Sequence, residues 1–152
     1  ICFLEIKQKN NKKVTKKKRI KVNSVPSQRL NLEHQRYIHS ILGVKKPLIS
    51  QHSTIFNRMT FVHKMNLERL TIDINLSYKD NEKSGKFTNL VIAELKKPKS
   101  QSTSDFKKIL KKHRVRPLRF SKYCMSTIKL CENVKYNRFK EKLLLINKII
   151  KK

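Results

Sequence analysis

The sequence predicts an α+β fold in which antiparallel strands come first and helices close the chain. Three observations carry this. Several runs alternate apolar and polar residues with a period of two, the strand signature. Basic residues recur on the polar sides of those runs. Later stretches have helical spacing of apolar residues and begin at capping residues.

Ile1 to Lys9 alternates, with Cys2, Leu4 and Ile6 on one side and Phe3, Glu5, Lys7 and Lys9 on the other. Asn10 and Asn11 supply a turn. Val14 to Val22 is again extended, with Lys17, Arg19 and Lys21 on one face and Lys16 and Lys18 on the other beside Val14 and Ile20, so 1–22 reads as a β-hairpin. Val25-Pro26-Ser27 breaks the pattern. Asn31 then caps a helix over 31–43, in which Leu32, Tyr37, Ile38, Ile41 and Leu42 cluster and which Gly43 ends.

Strand text returns at Thr54 to His63 and at Arg69 to Tyr78. In the second, Leu70, Ile72, Ile74, Leu76 and Tyr78 are expected on one face and Arg69, Thr71, Asp73, Asn75 and Ser77 on the other. A polar loop over Lys79 to Lys86 leads into a last strand within Thr88 to Lys96. After Pro98, the Ser102-Thr103-Ser104-Asp105 cluster caps a short helix containing Phe106, Ile109 and Leu110. Pro117 interrupts Arg114 to Phe120, and two helices follow, over 121–131 and 137–150. The chain reads as one domain over 1–152, made of a hairpin (1–22), a helix (31–43), strands (53–96) and a helical closing segment (102–150). Ile1 opens in mid-strand, so the natural chain is expected to continue upstream.

Thirty-eight Lys and Arg against ten Asp and Glu give a formal charge of +28. A compact body with that much like charge repels itself unless an anion offsets it, so the partner should be polyanionic. Nucleic acid, an anionic membrane surface and inorganic polyphosphate all satisfy this, and charge alone does not choose. Cys2, Cys124 and Cys131 are odd in number and lack metal-ligand spacing, which indicates neither a disulfide framework nor a zinc site. The five His residues show no HxH or HExxH spacing. No apolar run reaches the roughly 18 residues of a membrane span. The chain therefore reads as soluble and cytoplasmic, with any membrane association left to regions outside it.

No GxxxxGK[ST], GxGxxG or GxSxG occurs, so the loops of P-loop kinases, Rossmann enzymes and α/β-hydrolases are missing. With two glycines in the chain, side chains rather than backbone amides must hold any phosphate. The bases on the strands' polar faces are Lys7 and Lys9, Lys17 and Arg19, Arg58, Arg69, and Lys96. If the sheet curls into a barrel with helices outside, these faces line a lumen suited to phosphate, to which Arg offers a bidentate fork and Lys a mobile point charge. The plainer alternative is the solvated side of an open antiparallel sheet.

Glu5 and Glu94 lie two residues before Lys7 and Lys96, placing each pair on one side of its strand. Such pairs can be ion pairs, or the carboxylate can hold a hard divalent cation that bridges phosphates. Asp73, near Arg69 and Thr71, reads either as a salt bridge with a neighbouring base or as a group that positions a metal or a water. Lys122 follows a proline-containing turn, and Ser121 can cap its helix.

Four segments together resemble the VTC domain of the triphosphate tunnel (CYTH-like) superfamily. They are Phe3-Leu4-Glu5-Ile6-Lys7 with Lys17-Lys18-Arg19; Phe56-Asn57-Arg58 with Glu68-Arg69-Leu70-Thr71-Ile72-Asp73; Ala93-Glu94-Leu95-Lys96; and Arg119-Phe120-Ser121-Lys122-Tyr123. The resemblance implies a closed antiparallel barrel with flanking helices, incomplete at its N-terminus. It further implies that Lys7, Lys17, Arg19, Arg58, Arg69, Lys96 and Lys122 contact phosphate, that Arg58, Arg69 and Lys96 are catalytic, and that Glu94 binds Mn2+ or Mg2+. Arg19, Arg58 and Arg69 would then point into one cavity, and Lys122 would reach over its mouth.

The activity implied is a polyphosphate polymerase that transfers the γ-phosphoryl of ATP to a growing polyphosphate. A tunnel triphosphatase acting on inorganic or organic triphosphate uses the same walls. A rival of another class is a non-enzymatic polyanion binder, of RNA or DNA for example. Against it, aromatic residues are few and are not interleaved with the basic strands as a base-stacking platform. Two departures from the family pattern matter. The family's opening strand has no counterpart before Ile1, so residues 1–152 alone are expected to be inactive. Ser53 falls where some relatives carry another base.

Overall fold

A computed structural model describes residues 1–12, 14–24, 30–43 and 47–150. The predicted break at Val25-Pro26-Ser27 lies outside the described residues. The fold is α+β, with a two-stranded and a four-stranded antiparallel sheet and four α-helices among the described residues. Neither sheet closes on itself as a barrel. The chain forms two compact units, Ile1–Gln51 and His52–Lys152.

In the first unit, β1 (Cys2–Lys9) and β2 (Thr15–Val22) form the expected hairpin. Its turn is closed by Asn10, whose backbone N–H donates to the Val14 carbonyl at 3.0 Å and whose side chain accepts from the Val14 N–H at 2.8 Å. Helix α1 (Leu32–Leu42) starts where Asn31 Oδ1 accepts the His34 N–H at 2.8 Å. It ends at Gly43, whose φ of 65° is the left-handed conformation that glycine adopts without a Cβ clash. Among the described residues of this unit, Ile6, Val22 and Ile38 are the buried apolar ones. The Gln8 side-chain amide donates to the Ile41 carbonyl of α1 at 3.3 Å.

In the second unit, β4 (Arg69–Lys79) is central. It pairs along its length with β3 (Ser53–Val62) on one side. On the other side it pairs with β6 (Ile92–Lys96) near its start and with β5 (Ser84–Lys86) near its end. The expected polar loop over 79–86 therefore contains a short strand. Asp80 forms the turn before it by accepting the Glu82 and Lys83 N–H groups at 2.8 and 2.6 Å. Gly85 has no side chain because the Tyr78 ring lies directly over it, where a Cβ would collide.

The alternation expected along β4 is interrupted. Ile55 pairs with Ser77 but Asn57 pairs with Ile74, so β4 carries one more residue than β3 over that interval. The extra residue is taken up at Asn75, whose φ is 55°. This is a β-bulge, and it reverses the sidedness of everything after it. Leu76 and Tyr78, expected with Leu70, Ile72 and Ile74, instead share the face of Thr71 and Asp73.

The consequence is a face with two characters. At the Leu76 end it carries the core: Leu76, Phe87, Leu90, Met125 and Ile146 are buried together, with Phe56, Ile92 and Phe120 packed against them. At the other end it carries Arg58, Asp73, Thr71 and Glu94. The helices supply the covering residues: α3 (Lys122–Leu130) contributes Met125 and α4 (Lys140–Ile150) Ile146. A short 3-10 turn, Asn137–Phe139, precedes α4. Ser104 caps α2 (Asp105–Lys112) as expected, and Ser121 caps α3 by accepting the Cys124 N–H at 3.3 Å. On the reverse face of the sheet, Ile55, Met59 and Phe61 are exposed. Among the described residues, no helix is long and apolar enough to cross a membrane.

Candidate functional site

Directly paired residues of adjacent strands point to the same side of a sheet. Arg58 pairs with Asp73, Thr71 with Glu94, and Arg69 with Lys96. With β4 regular between Arg69 and Asp73, this puts Arg58, Arg69, Asp73, Glu94 and Lys96 on one face. The register thus sets Arg58 and Arg69 on the same face of the sheet.

Asp73 is the centre of this face and is 1% exposed. Its two oxygens accept from Arg58, Oδ1 from Nε at 2.6 Å and Oδ2 from Nη2 at 2.8 Å. Oδ2 also accepts from the Lys122 ammonium. Lys122 reaches Asp73 because it is the first residue of α3, whose N-terminal end lies over β3 and β4. The Phe56 ring sits two residues before Arg58 on β3. It is 5.1 Å from the Arg58 guanidinium carbon and 4.4 Å from Lys122 Nζ, so its face stabilises both cations.

The protonation states follow from these contacts. The fork from Arg58, helped by Lys122, holds the Asp73 carboxyl down to about 2 against the opposing effect of burial. The Arg58 guanidinium is pushed up, mainly by its hydrogen bond to Asp73, with the charge of Glu94 adding to the effect. The Asp73 carboxylate and the Arg58 guanidinium are therefore both charged at neutral pH.

Glu94 is about half exposed and pairs with Lys96 at 3.1 Å. A hard divalent cation needs oxygen ligands, and on this face the carboxylates are Asp73 and Glu94. Asp73 has both oxygens committed to cations, which leaves Glu94. Among the described residues, no three His, Cys, Asp or Glu side chains come together as a metal-binding group. The side chains present on this face could thus offer a hard cation one carboxylate, that of Glu94.

In the first unit, Glu5, Lys7, Lys17 and Arg19 share a face of the hairpin through the pairs Glu5–Arg19 and Lys7–Lys17. Lys7 and Lys17 lie directly opposite one another and would repel. Glu5 accepts from both, at 3.1 and 2.5 Å. Its carboxyl is lowered, chiefly by the Lys17 hydrogen bond. The Arg19 guanidinium lies 4.8 Å from the Phe3 ring centre. Of the three arginines expected in one cavity, Arg58 and Arg69 belong to the second unit and Arg19 to the first.

One participant was missed from the sequence. The ring under both cations is Phe56, and its signal was available: it alternates with Arg58 on β3. For Asp73 an ion pair was one of the sequence readings, but its second partner, Lys122, lies 49 positions away and had no sequence signal. A groove of about 790 Å³ beside β6 is lined mainly by apolar side chains such as Leu95, Phe106, Leu110 and Ile149. Glu94 and Lys96 also line it, with Lys97, Lys107 and Arg116, whereas Arg58, Asp73 and Lys122 take no part.

Comparison with protein families finds a match to the VTC domain over residues 1–131. No curated protein and no solved structure matches the chain. The matched residues include the hairpin bases, the Arg58–Asp73–Lys122 cluster and Glu94. Spanning 131 of the 152 residues, the match shows that the chain belongs to the VTC domain family.

Proposed function

We propose that this chain is the phosphate-handling part of a polyphosphate polymerase, which transfers the γ-phosphoryl of ATP to the end of a polyphosphate chain. The VTC domain carries a polyphosphate-related role, and what supports the finer reading is one arrangement. Arg58 and Lys122 are held side by side on a face that also bears Arg69, Lys96 and Glu94. The proposal keeps Lys7, Lys17 and Arg19 as further phosphate-contacting bases, and a barrel as the finer form of the fold.

Phosphoryl transfer needs little covalent chemistry from the protein. Positioning and electrostatic stabilisation supply most of the effect. Arg58 and Lys122 grip phosphate oxygens, while Arg69 and Lys96 extend the positive wall along the strands. Glu94 would be the side chain that holds Mn2+ or Mg2+. Bound there, the cation would neutralise charge on the transferring group. No side-chain nucleophile is required.

A triphosphatase uses the same walls with water as acceptor, so product analysis separates the two. The full-length protein is incubated with ATP, a polyphosphate primer and Mn2+ or Mg2+. A ladder of lengthened polyphosphate supports the polymerase, and orthophosphate alone supports the hydrolase. Competition addresses the non-enzymatic rival: if single-stranded nucleic acid displaces polyphosphate at equal charge, the binding is counterion release without specificity and the polyphosphate reading is lost.

A further inference from the structure

We infer that Asp73 is a positioning residue for anion binding: it fixes Arg58 of β3 and Lys122 of α3 as one paired phosphate grip. The site thus depends on a negative charge although its ligand is itself an anion. This inference rests on the polyphosphate reading and concerns the same site.

The two cations come from different elements and would not converge unaided. Both lie over the single ring of Phe56, at 5.1 and 4.4 Å, where they would repel each other without an anion between them. Lys122 meets a second penalty. It opens α3, whose N-terminus carries the positive end of the helix dipole, and the first turn of α3 has no acidic residue of its own. Asp73 supplies the missing charge at that point. It does so from the central strand, on the same rung as Arg58 and Ile92, so its position is set by hydrogen bonding on both sides.

The clamp uses only part of each cation. Arg58 commits Nε and Nη2 to Asp73 and keeps its remaining N–H donors, on a side chain that is 41% exposed. Lys122 likewise donates one of its protons to Asp73. What remains is a pair of partly satisfied cations tied to one carboxylate. Such preorganisation lowers the ordering cost of binding an anion between them.

The inference makes a prediction whose sign differs from that of simple electrostatics. Asp73→Asn raises the protein's charge by one at the site, so a charge-only view expects tighter polyanion binding. The positioning role expects weaker binding, by about tenfold, the equivalent of one lost charged contact. Binding of tripolyphosphate and of a longer polyphosphate is measured by calorimetry on the wild-type chain and on three variants, with a thermal melt for each. Asp73→Glu keeps the charge but adds a methylene at a fully buried position. It should melt lower than wild type yet bind within about threefold of it. Glu132→Gln removes an exposed acid paired with Lys83, giving the same change of net charge elsewhere, and should bind like wild type.

Asp73→Asn binding as tightly as wild type or more so overturns the inference, as does affinity that follows melting temperature instead of the charge at position 73. Wild-type protein that binds neither polyphosphate is a different outcome and defeats the polyphosphate reading itself. Where Asp73→Asn gives no cooperative melt, the ligand-free wild-type chain decides by NMR. A slowly exchanging Arg58 Nε–H resonance is expected, and rapid averaging of that side chain overturns the clamp.

Discussion

Arg58 and Asp73 face one another across a single rung of the β3–β4 ladder and form a two-point fork, with Nε and Nη2 at 2.6 and 2.8 Å from the two carboxylate oxygens. Because Asp73 is buried, removing its partner leaves a charge that only Lys122 can compensate. Arg58→Ala is expected to destabilise the second unit by about 2 kcal/mol, below the range for a fully buried pair because the Arg58 side chain is 41% exposed. Arg58→Lys should recover less than half of this, since a point charge cannot reproduce the fork. Urea unfolding followed by circular dichroism measures both.

The same contacts make stability depend on acid pH. Asp73 has a folded pKa of about 2 against an ordinary 3.8, mainly through its hydrogen bond to Arg58. With the folded value depressed, the contribution is present above the ordinary value and is lost as pH falls from 3.8 toward about 2. The shift corresponds to about 2 kcal/mol. Melting temperature measured through this window should fall for wild type and fall less for Asp73→Asn. Equal slopes in the two proteins would show that Asp73 carries no such linkage.

Glu94 is the carboxylate left free of a buried clamp, and its exposed pairing with Lys96 contributes little to stability. Glu94→Gln should leave the melting temperature within about a degree or two, an effect below 0.5 kcal/mol. In the full-length protein it should abolish Mn2+- or Mg2+-dependent turnover of ATP while preserving most metal-free polyphosphate binding. Unchanged turnover would remove Glu94 from the proposed metal site.

Asn75 holds the bulge that turns Leu76 toward the core, at a φ of 55° that a β-branched residue adopts only with strain. Asn75→Gly should be tolerated within about 0.5 kcal/mol, whereas Asn75→Val should cost about 1–2 kcal/mol. A chemical-denaturation midpoint measures each. Indifference to valine would mean that the bulge lies elsewhere in β4.

The extent of most elements was legible in the sequence because it depends on local physics. Asn31 and Gly43 bound α1, and Ser104 and Ser121 open α2 and α3, through hydrogen bonds to residues a few positions away. Period-two patterning put Arg69, Thr71 and Asp73 on one face, and Glu94 and Lys96 on one face, before any pairing was known. What local pattern could not reveal was the switch at Asn75. A regular strand and a bulged strand share the same alternation of residue types, and only the count of residues against β3 distinguishes them. Nor could it reveal that α3 delivers Lys122 to the carboxylate already held by Arg58. That meeting depends on which face of the sheet the helices cover, a choice made by burying Met125 and Ile146 against Leu76. Sequence determined the carriers of charge and the strand faces they occupy. The tertiary structure decided which of those charges neutralise one another, because burial at Asp73 leaves a carboxylate no partner but the cations packed beside it.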